Sequence, residues 1–145
     1  MGTRATGAAA TEFWTLVTQL WLDERPPRFP SVAAHFDLSP MAMRVLYELE
    51  PGQERPMHDL ATTVGCDASN VTGIADRMEA RGLIERRDAA GDRRVKLIAL
   101  TDGGAELRGA VLERLFEPPA TIRRLPDADL RTLRDIVRRA VNPGQ

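Results

Sequence analysis

Residues 68–81 carry side chains that suit contact with the edges of nucleic-acid bases. Apolar residues recur here at helical spacing, with Val71, Ile74, Ala75 and Met78 on one stripe. The other face is mostly small and polar: Ser69, Asn70, Thr72, Gly73, Asp76 and Arg77. Short hydrogen-bonding side chains on such a face reach base edges in the major groove, and a glycine permits close approach of the backbone. The pattern therefore predicts a helix that reads a DNA sequence.

A basic hairpin is predicted directly after this helix, which Gly82 ends. Two strand-like pieces, Leu83–Arg87 and Arg94–Leu100, flank the turn-forming stretch Asp88–Asp92. The hairpin carries the cations Arg86, Arg87, Arg93, Arg94 and Lys96. Residues 76–96 hold seven basic and five acidic side chains, so the segment is locally positive. Arg86, Arg87 and Arg93 are interpreted either as phosphate contacts or as solvated strand charges.

The elements upstream must position the helix and the hairpin. Ser39 and Pro40 are a cap and first-turn pair that starts a helix expected to bury Met43, Leu46, Tyr47 and Leu49. Pro56 opens a shorter helix, which Gly65 ends as a left-handed cap. Residues 57–81 therefore have the order of a helix-turn-helix, with residues 68–81 as the second helix.

Further helices flank this motif on both sides. Residues 11–23 carry an apolar stripe of Phe13, Leu16, Val17, Leu20 and Trp21. The proline-rich stretch 25–30 breaks that helix, and the short apolar piece 32–36 is left unassigned. Thr101 is expected to cap a helix that carries Leu107, Val111, Leu112 and Leu115. The last helix, about 127–141, has the stripe Leu130, Leu133, Ile136, Val137 and Val141.

Composition bounds the function. The 145 residues suit one domain, and a net charge of −1 means that any nucleic-acid site is a local patch. Cys66 is the single cysteine, so no intramolecular disulfide can form, as is usual in the cytoplasm. We expect no secretory signal and no membrane span. His35 and His58 are too isolated for a metal site, and no phosphate-binding glycine loop is present, so neither catalysis nor a cofactor is expected.

The combination of these motifs resembles the MarR family of winged helix-turn-helix regulators. The resemblance is carried by Asp76-Arg77-Met78-Glu79, by Gly82-Leu83-Ile84, and by Asp92-Arg93-Arg94 followed by Leu100-Thr101. It covers about residues 38–108 well, and the flanking helices match in pattern only. The implied fold class is mainly α with a small β-hairpin wing. Residues 1–145 would form a single domain, with a lobe at about 38–100 and dimerisation helices at about 8–24 and 102–142.

The resemblance also implies partners and site residues. The chain would be a homodimer, with its second helix in the major groove of double-stranded DNA and its wing in the minor groove. By position, Ser69, Asn70, Thr72, Gly73 and Arg77 would contact bases or adjacent phosphates. Arg94 would enter the minor groove, where a guanidinium suits the negative potential, and Asp92 would hold it by an ion pair. The implied function is a repressor released from a pseudo-palindromic operator.

Family members often bind small aromatic or anionic effectors between the dimer helices and the DNA-binding lobe. If that holds here, the pocket would be lined by Trp14, His35, Phe36, Arg44 and Tyr47. The alternative for Trp14 is a place in the core or the dimer interface. The sequence does not select the ligand, the operator, the target genes or the sign of regulation.

Several alternatives stay open at this point. Ser69 and Asn70 could be helix-cap residues, and Arg77 and Arg81 could be solvated charges paired with Asp76 or Glu85. The winged helix could bind protein instead of DNA. Cys66 could make the chain a thiol-based redox regulator, since it lies just before a helix N-terminus, although a buried inert thiol is the plainer interpretation.

Overall fold

The computed structural model describes the backbone of residues 2–23 and 27–142 and the side chains of residues 7–23 and 27–142. The chain divides into two compact units, one ending at Leu115 and the other beginning at Phe116. In the first unit the elements are α1 (Gly2–Leu22), α2 (Arg28–His35), α3 (Pro40–Glu48), β1 (Arg55–Pro56), α4 (Met57–Val64), α5 (Ala68–Ala80), β2 (Ile84–Ala89), β3 (Asp92–Leu100) and α6 (Asp102–Leu115). In the second they are α7 (Ala120–Arg123) and α8 (Asp127–Val141). The expected class, mainly α with a small β-hairpin, is confirmed.

The core of the first unit lies where α3, α4 and α5 meet the sheet and α6. Each helix buries one stripe, as its apolar spacing predicts. The fully buried side chains include Met43, Leu46, Leu60, Ile74, Met78, Ile84, Ile98 and Val111. The apolar stripe expected on α5 is buried in full and consists of Val71, Ile74, Ala75 and Met78. This packing fixes which face of α5 is turned outward.

The helix boundaries follow from local chemistry. The Oγ of Ser39 accepts a hydrogen bond from the Ala42 amide at 3.1 Å, which confirms Ser39 as the N-cap of α3. Gly65 ends α4 with φ at 72°, a left-handed conformation that a side chain would disfavour. Its amide donates to the Ala61 carbonyl at 3.0 Å. The tight turn to α5 depends on this residue, so the expected helix-turn-helix is present.

The sheet is antiparallel with strand order β1-β3-β2. Its hairpin differs from expectation, because β2 extends to Ala89 and β3 begins at Asp92, which leaves a two-residue tip. Gly91, with φ at 90°, allows the chain to reverse that tightly. Asp88 pairs with Lys96 while Ala89 pairs with Asp92, so the register shifts next to the tip. The two residues of β1 are too few to show a periodicity, and the sequence did not predict them.

Three other details depart from expectation or complete it. The piece left open at 32–36 belongs largely to α2, whose first turn tolerates Pro30 because its amide would have no helical partner. The short helix α7 was not predicted, since four residues give no stripe. The prediction that Tyr47 is buried is wrong: its side chain is 38% exposed, and the Arg44 guanidinium lies 5.6 Å from the ring centroid.

The flanking helices leave apolar rows exposed. In α1, which begins earlier than the expected residue 8 or 11, these are Phe13, Trp14, Leu16, Leu20, Trp21 and Leu22. In α8 they are Leu133, Ile136, Val137 and Val141, which are 38–70% exposed. Residue 24, the expected end of the first dimerisation helix, lies outside the described residues. The role of these helices in a dimer stays a prediction.

Candidate nucleic-acid interface

The outward face of α5 presents unsatisfied hydrogen-bonding groups. Ser69, Asn70 and Thr72 are exposed. Asp67 is the N-cap residue of α5 but makes no side-chain cap hydrogen bond. Among the described residues, the side chains of Ser69 and Asn70 make no hydrogen bond either, so neither acts as a cap. The Thr72 hydroxyl donates to the Ala68 carbonyl at 2.9 Å and keeps its acceptor sites. This face can therefore donate to and accept from a partner.

Gly73 lies in the middle of this face and is not required by the packing of the chain itself. A Cβ built there would meet Nη1 of Arg77 at 3.7 Å, an ordinary contact. The fold would thus accept alanine at this position. Close approach of a partner's backbone or bases is the remaining physical reason for a glycine, and it stays a prediction.

The wing places Arg93 and Arg94 just after its tip, both exposed. The carboxylate of Asp92 accepts a hydrogen bond from the backbone amide of Arg94 at 2.9 Å. The described part of the chain shows no ion pair between this carboxylate and the Arg94 guanidinium, in contrast to the expected arrangement. The short side chain of Asp92 satisfies the amide next to the turn, a common role for aspartate. It therefore fixes the backbone of Arg94 and leaves the guanidinium unpaired.

Most other cations of the lobe are engaged within the protein. Arg81 donates to the carbonyls of Asp37 and Phe36 at 2.5 and 3.2 Å, so it ties α5 to the end of α2 and does not pair with Asp76 or Glu85. Arg87 pairs with Glu54 at 3.2 Å and with Glu85. Lys96 pairs with Asp88. Carboxylates therefore compensate the charges of Arg87 and Lys96, and backbone carbonyls occupy the donors of Arg81.

Arg86 is the most enclosed of the wing arginines, with its side chain 26% exposed. Its Nη1 lies 2.7 Å from Oδ1 of Asp76, and its Nε donates to Oε2 of Glu79 at 3.0 Å. Its Nη2 also contacts Oε2 of Glu79. The hydrogen bond from Arg86 holds the pKa of Glu79 below its usual value, and the same contact raises the pKa of Arg86. Contact of Arg86 with DNA stays a prediction. Its guanidinium already contacts two carboxylates of α5.

Three arginines of the lobe have guanidinium groups that make no ion pair or hydrogen bond among the described residues. They are Arg77 on α5 and Arg93 and Arg94 on the wing, and all three are exposed. Their guanidiniums are available to phosphates or to base edges, which take this group well. The sequence alone could not separate these three from the other arginines, because the separation depends on which carboxylates the fold brings near.

The outward face of α5 and the wing line the same grooves. Thr72 of α5 and Lys96 of β3 line a groove of about 520 Å³ together with Met57, Arg86, Arg87 and Asp88. The same two residues line a neighbouring groove of about 260 Å³ with Met57, His58, Ala68, Arg94 and Val95. A third groove of about 400 Å³ runs beside Arg77 and Arg81. Helix and wing thus form one continuous face, which a partner with two adjacent grooves could occupy.

Among the described residues, the predicted effector residues form two contacting pairs and one residue apart from them. His35 and Phe36 contact each other edge-to-face with ring centroids 4.8 Å apart, and Arg44 lies over Tyr47. Trp14 is exposed on α1. None of the three grooves described above is lined by any of these five residues. The effector pocket stays a prediction.

The remaining candidates are quickly placed. Cys66 is half-buried against the core, and its redox role stays a prediction. Within the described ranges, no three His, Cys, Asp or Glu side chains are grouped as metal ligands. Over the same residues, no helix combines the length and apolarity needed to cross a bilayer. Sequence reasoning missed the contacts of Asp76 and Glu79 with Arg86 and those of Arg81 with the end of α2.

Known proteins match this chain over the region that holds the helix-turn-helix and most of the wing. A profile of the MarR family matches residues 36–95. The transcriptional repressor MprA of Escherichia coli is 39% identical over 72 residues, which are 50% of this chain and 40% of that protein. YfiV of Bacillus subtilis, described as an uncharacterized HTH-type transcriptional regulator, is 31% identical over 54% of this chain and 49% of its own. The chain therefore spans half or less of the length of these curated relatives.

A solved structure extends the similarity to the rest of the chain. A MarR-family transcriptional regulator from Rhodococcus sp. RHA1 is 25% identical and superposes with a TM-score of 0.61. The superposition covers 94% of this chain and 95% of that one. The profile match falls on the helix-turn-helix and most of the wing, and the whole fold agrees with a member of the same family. Residues 36–95 therefore resemble the MarR family in sequence, and the fold resembles that of a solved regulator of this family.

Proposed function

We propose that this protein is a sequence-specific, DNA-binding transcriptional repressor that acts as a homodimer and has no catalytic activity. The recognition helix α5 would lie in the major groove and the wing would enter the minor groove. The names of its relatives support this role, since MprA is a transcriptional repressor. A DNA-binding repressor of this kind would act in the cytoplasm, beside the chromosome it regulates.

One observation carries the proposal: α5 and the wing hold exposed polar and charged side chains that make no hydrogen bond or ion pair among the described residues. Ser69 and Asn70 offer hydrogen bonds from α5, and Arg77, Arg93 and Arg94 offer positive charge from α5 and the wing. The neighbouring Arg87 and Lys96 pair with carboxylates, so the uncompensated positive charge of this surface is concentrated in the three unpaired arginines. Phosphates and base edges match the unpaired groups chemically.

The test is fluorescence anisotropy of the full chain with labelled DNA from its own upstream region and with a scrambled duplex, over a salt series. Specific binding is expected to exceed non-specific binding by about a thousandfold or more. Three unpaired arginines in each protomer give about six released counterions for a dimer, and so a slope of log K against log salt of about −5. Protein that is folded and dimeric but prefers neither duplex would contradict the proposal for that DNA.

The outcome also separates a second role for the winged helix. A protein-interaction module would show no salt-dependent preference for its upstream DNA, and Arg94→Ala would leave its partner affinity unchanged. A footprint without two-fold symmetry would contradict the dimer, because two recognition helices related by symmetry read half-sites about 34 Å apart.

Release from DNA by a small aromatic or anionic effector is part of the same proposal. Support comes from the Arg44 guanidinium, which lies 5.6 Å from the centroid of the exposed Tyr47 ring and pairs with Glu48 at 2.8 Å. An aromatic carboxylate would stack at this ring and take the place of Glu48. An effector acts only if it favours a dimer whose recognition helices no longer match the operator. Benzoate added to the anisotropy assay is expected to lower operator affinity in the native chain and not in Arg44→Ala.

A further inference from the structure

Arg86 joins the wing to the recognition helix. It extends from β2, where it pairs across the sheet with the fully buried Ile98. Its guanidinium returns to α5 and contacts Asp76 at 2.7 Å and Glu79 at 3.0 Å. Asp76 and Glu79 are three residues apart and therefore share one face of the helix. A planar fork held by two carboxylates allows little rotation of the hairpin about the helix end.

The surroundings of the three side chains favour a positioning role over contact with DNA. The donors of Arg86 already face two carboxylates, whereas those of Arg77 and Arg94 face none among the described residues. Asp76 is 57% and Glu79 38% exposed. Two exposed carboxylates beside a DNA-binding face repel phosphates, so their presence calls for a structural benefit. Holding the wing at a fixed angle to α5 would be such a benefit.

We propose that Arg86, through Asp76 and Glu79, is a positioning residue that sets the wing against the recognition helix so that both engage one stretch of DNA. This inference rests on the proposed function. It replaces a phosphate contact of Arg86 by an indirect role. It also assigns a favourable role in DNA binding to two negatively charged residues.

The decisive variants are Asp76→Asn with Glu79→Gln, measured by operator anisotropy in the full-length protein. Simple electrostatics predicts tighter DNA binding when two negative charges are removed. Positioning predicts weaker binding by about tenfold, comparable to the loss of one groove contact. Glu85→Gln is the matched control, since Glu85 is also a wing-side carboxylate but pairs with Arg87, and it is expected to bind equally or more tightly. Binding by the double variant that is as tight as wild type, or tighter, overturns the inference.

Two further arms separate positioning from loss of stability and from direct contact. Arg94→Ala combined with Glu79→Gln is expected to bind no more weakly than Arg94→Ala alone, because a misplaced wing has already lost its contact. Additive losses would contradict an action through the wing. Arg86→Lys keeps the positive charge but loses the planar guanidinium, so it is expected to bind the operator more weakly than wild type. Full affinity in Arg86→Lys, or a salt slope reduced by about 0.9 per protomer in Arg86→Met, would identify a phosphate contact instead.

The result is distinguishable from failure of the proposed function. If the native chain shows no preference for its operator, the repressor proposal fails first. If the native chain binds and the carboxamide variants bind equally well, the repressor proposal stands and the role of Arg86 is overturned. Unfolding midpoints of all variants, measured by circular dichroism, confirm that binding is compared between folded proteins.

Discussion

At the scale of single residues, identical side chains acquire different roles from their neighbours. Arg81 hydrogen-bonds to backbone carbonyls, Arg86 is held by two carboxylates, and Arg94 has only its backbone fixed. An arginine whose donors are satisfied contributes orientation, while one whose donors are free contributes affinity for an anionic partner. Arginine substitutions of the same type are therefore expected to affect DNA binding in different ways, depending on the partners of the arginine.

Arg94→Ala is expected to weaken operator binding by about 1–3 kcal/mol, since a guanidinium in the minor groove is lost. Stability is expected to change little, because the guanidinium pairs with nothing in the described part of the chain. The measurement is anisotropy at fixed salt, together with a urea unfolding curve. Arg114→Ala is the control, an exposed arginine on α6 outside the lobe, and it should leave the affinity unchanged. Equal losses in both variants would point to general charge and not to a wing contact.

Glu79 gives the lobe a stability that depends on pH. Its pKa is lowered from 4.5 by the hydrogen bond from Arg86, so the ionised form is favoured in the folded state. The stabilisation is complete above about pH 5 and is lost as pH falls through the lowered pKa. The difference in free energy of unfolding between wild type and Glu79→Gln is therefore expected to shrink from pH 6 to pH 3. Asp135, whose pKa Arg134 lowers, contributes equally to both proteins. A constant difference over this range would contradict the role of the ionised carboxylate.

At the scale of elements, the start of α6 is fixed to the turn between α5 and β2. The Thr101 hydroxyl donates to the Gly82 carbonyl at 2.6 Å and accepts from the Gly104 amide at 3.0 Å. The Thr101 amide donates to the Leu83 carbonyl at 3.1 Å. This junction brings the backbone of α6 against the backbone of residue 83, and only a glycine allows that approach.

Gly104→Ala is expected to destabilise the protein by about 1–3 kcal/mol or more, the range for overpacking. An added Cβ would lie 1.8 Å from the carbonyl oxygen of Leu83, and backbone atoms cannot yield cheaply. Gly109→Ala, on the same helix with open space around it, is expected to stabilise by about 0.5–1 kcal/mol. Urea unfolding of the two variants checks both signs. A neutral Gly104→Ala would mean that α6 can move away from the sheet.

The elements show what the sequence can and cannot predict. Helices α3, α4, α5 and α6 were predicted from their apolar stripes together with boundary signals such as Ser39 and Gly65. The ion pairs of Arg86 and Lys96 were not predicted, because an ion pair between distant segments leaves no periodic pattern in the sequence. For the same reason the sequence predicted an ion pair between Asp92 and the Arg94 guanidinium, whereas the Asp92 carboxylate accepts a hydrogen bond from the Arg94 backbone amide. Tyr47 was wrongly predicted to be buried, because an apolar stripe on a helix does not show how far the neighbouring element extends over it.

At the scale of the whole molecule, α1 and α8 each leave an apolar row exposed, and we expect a second copy of the chain to cover the row on α8. In α8, Leu133, Ile136, Val137 and Val141 form a stripe, and the opposite side of the helix carries Arg131 and Asp135. Apolar side chains aligned in this way mark association surfaces in proteins of this size. A two-fold symmetric dimer would cover the same stripe in both copies, in line with a palindromic operator.

Ile136→Glu is expected to shift the protein from dimer toward monomer, because a carboxylate would be buried in an apolar interface without a cation. Arg139→Ala changes the net charge by the same amount on the polar side of α8 and should leave the dimer intact. Sedimentation equilibrium measures the shift against the 16.0 kDa of one chain. Operator affinity should fall with the dimer, since a monomer reads one half-site, while binding to a single half-site should be retained at high protein concentration. A dimer unaffected by Ile136→Glu would place the interface away from this stripe of α8.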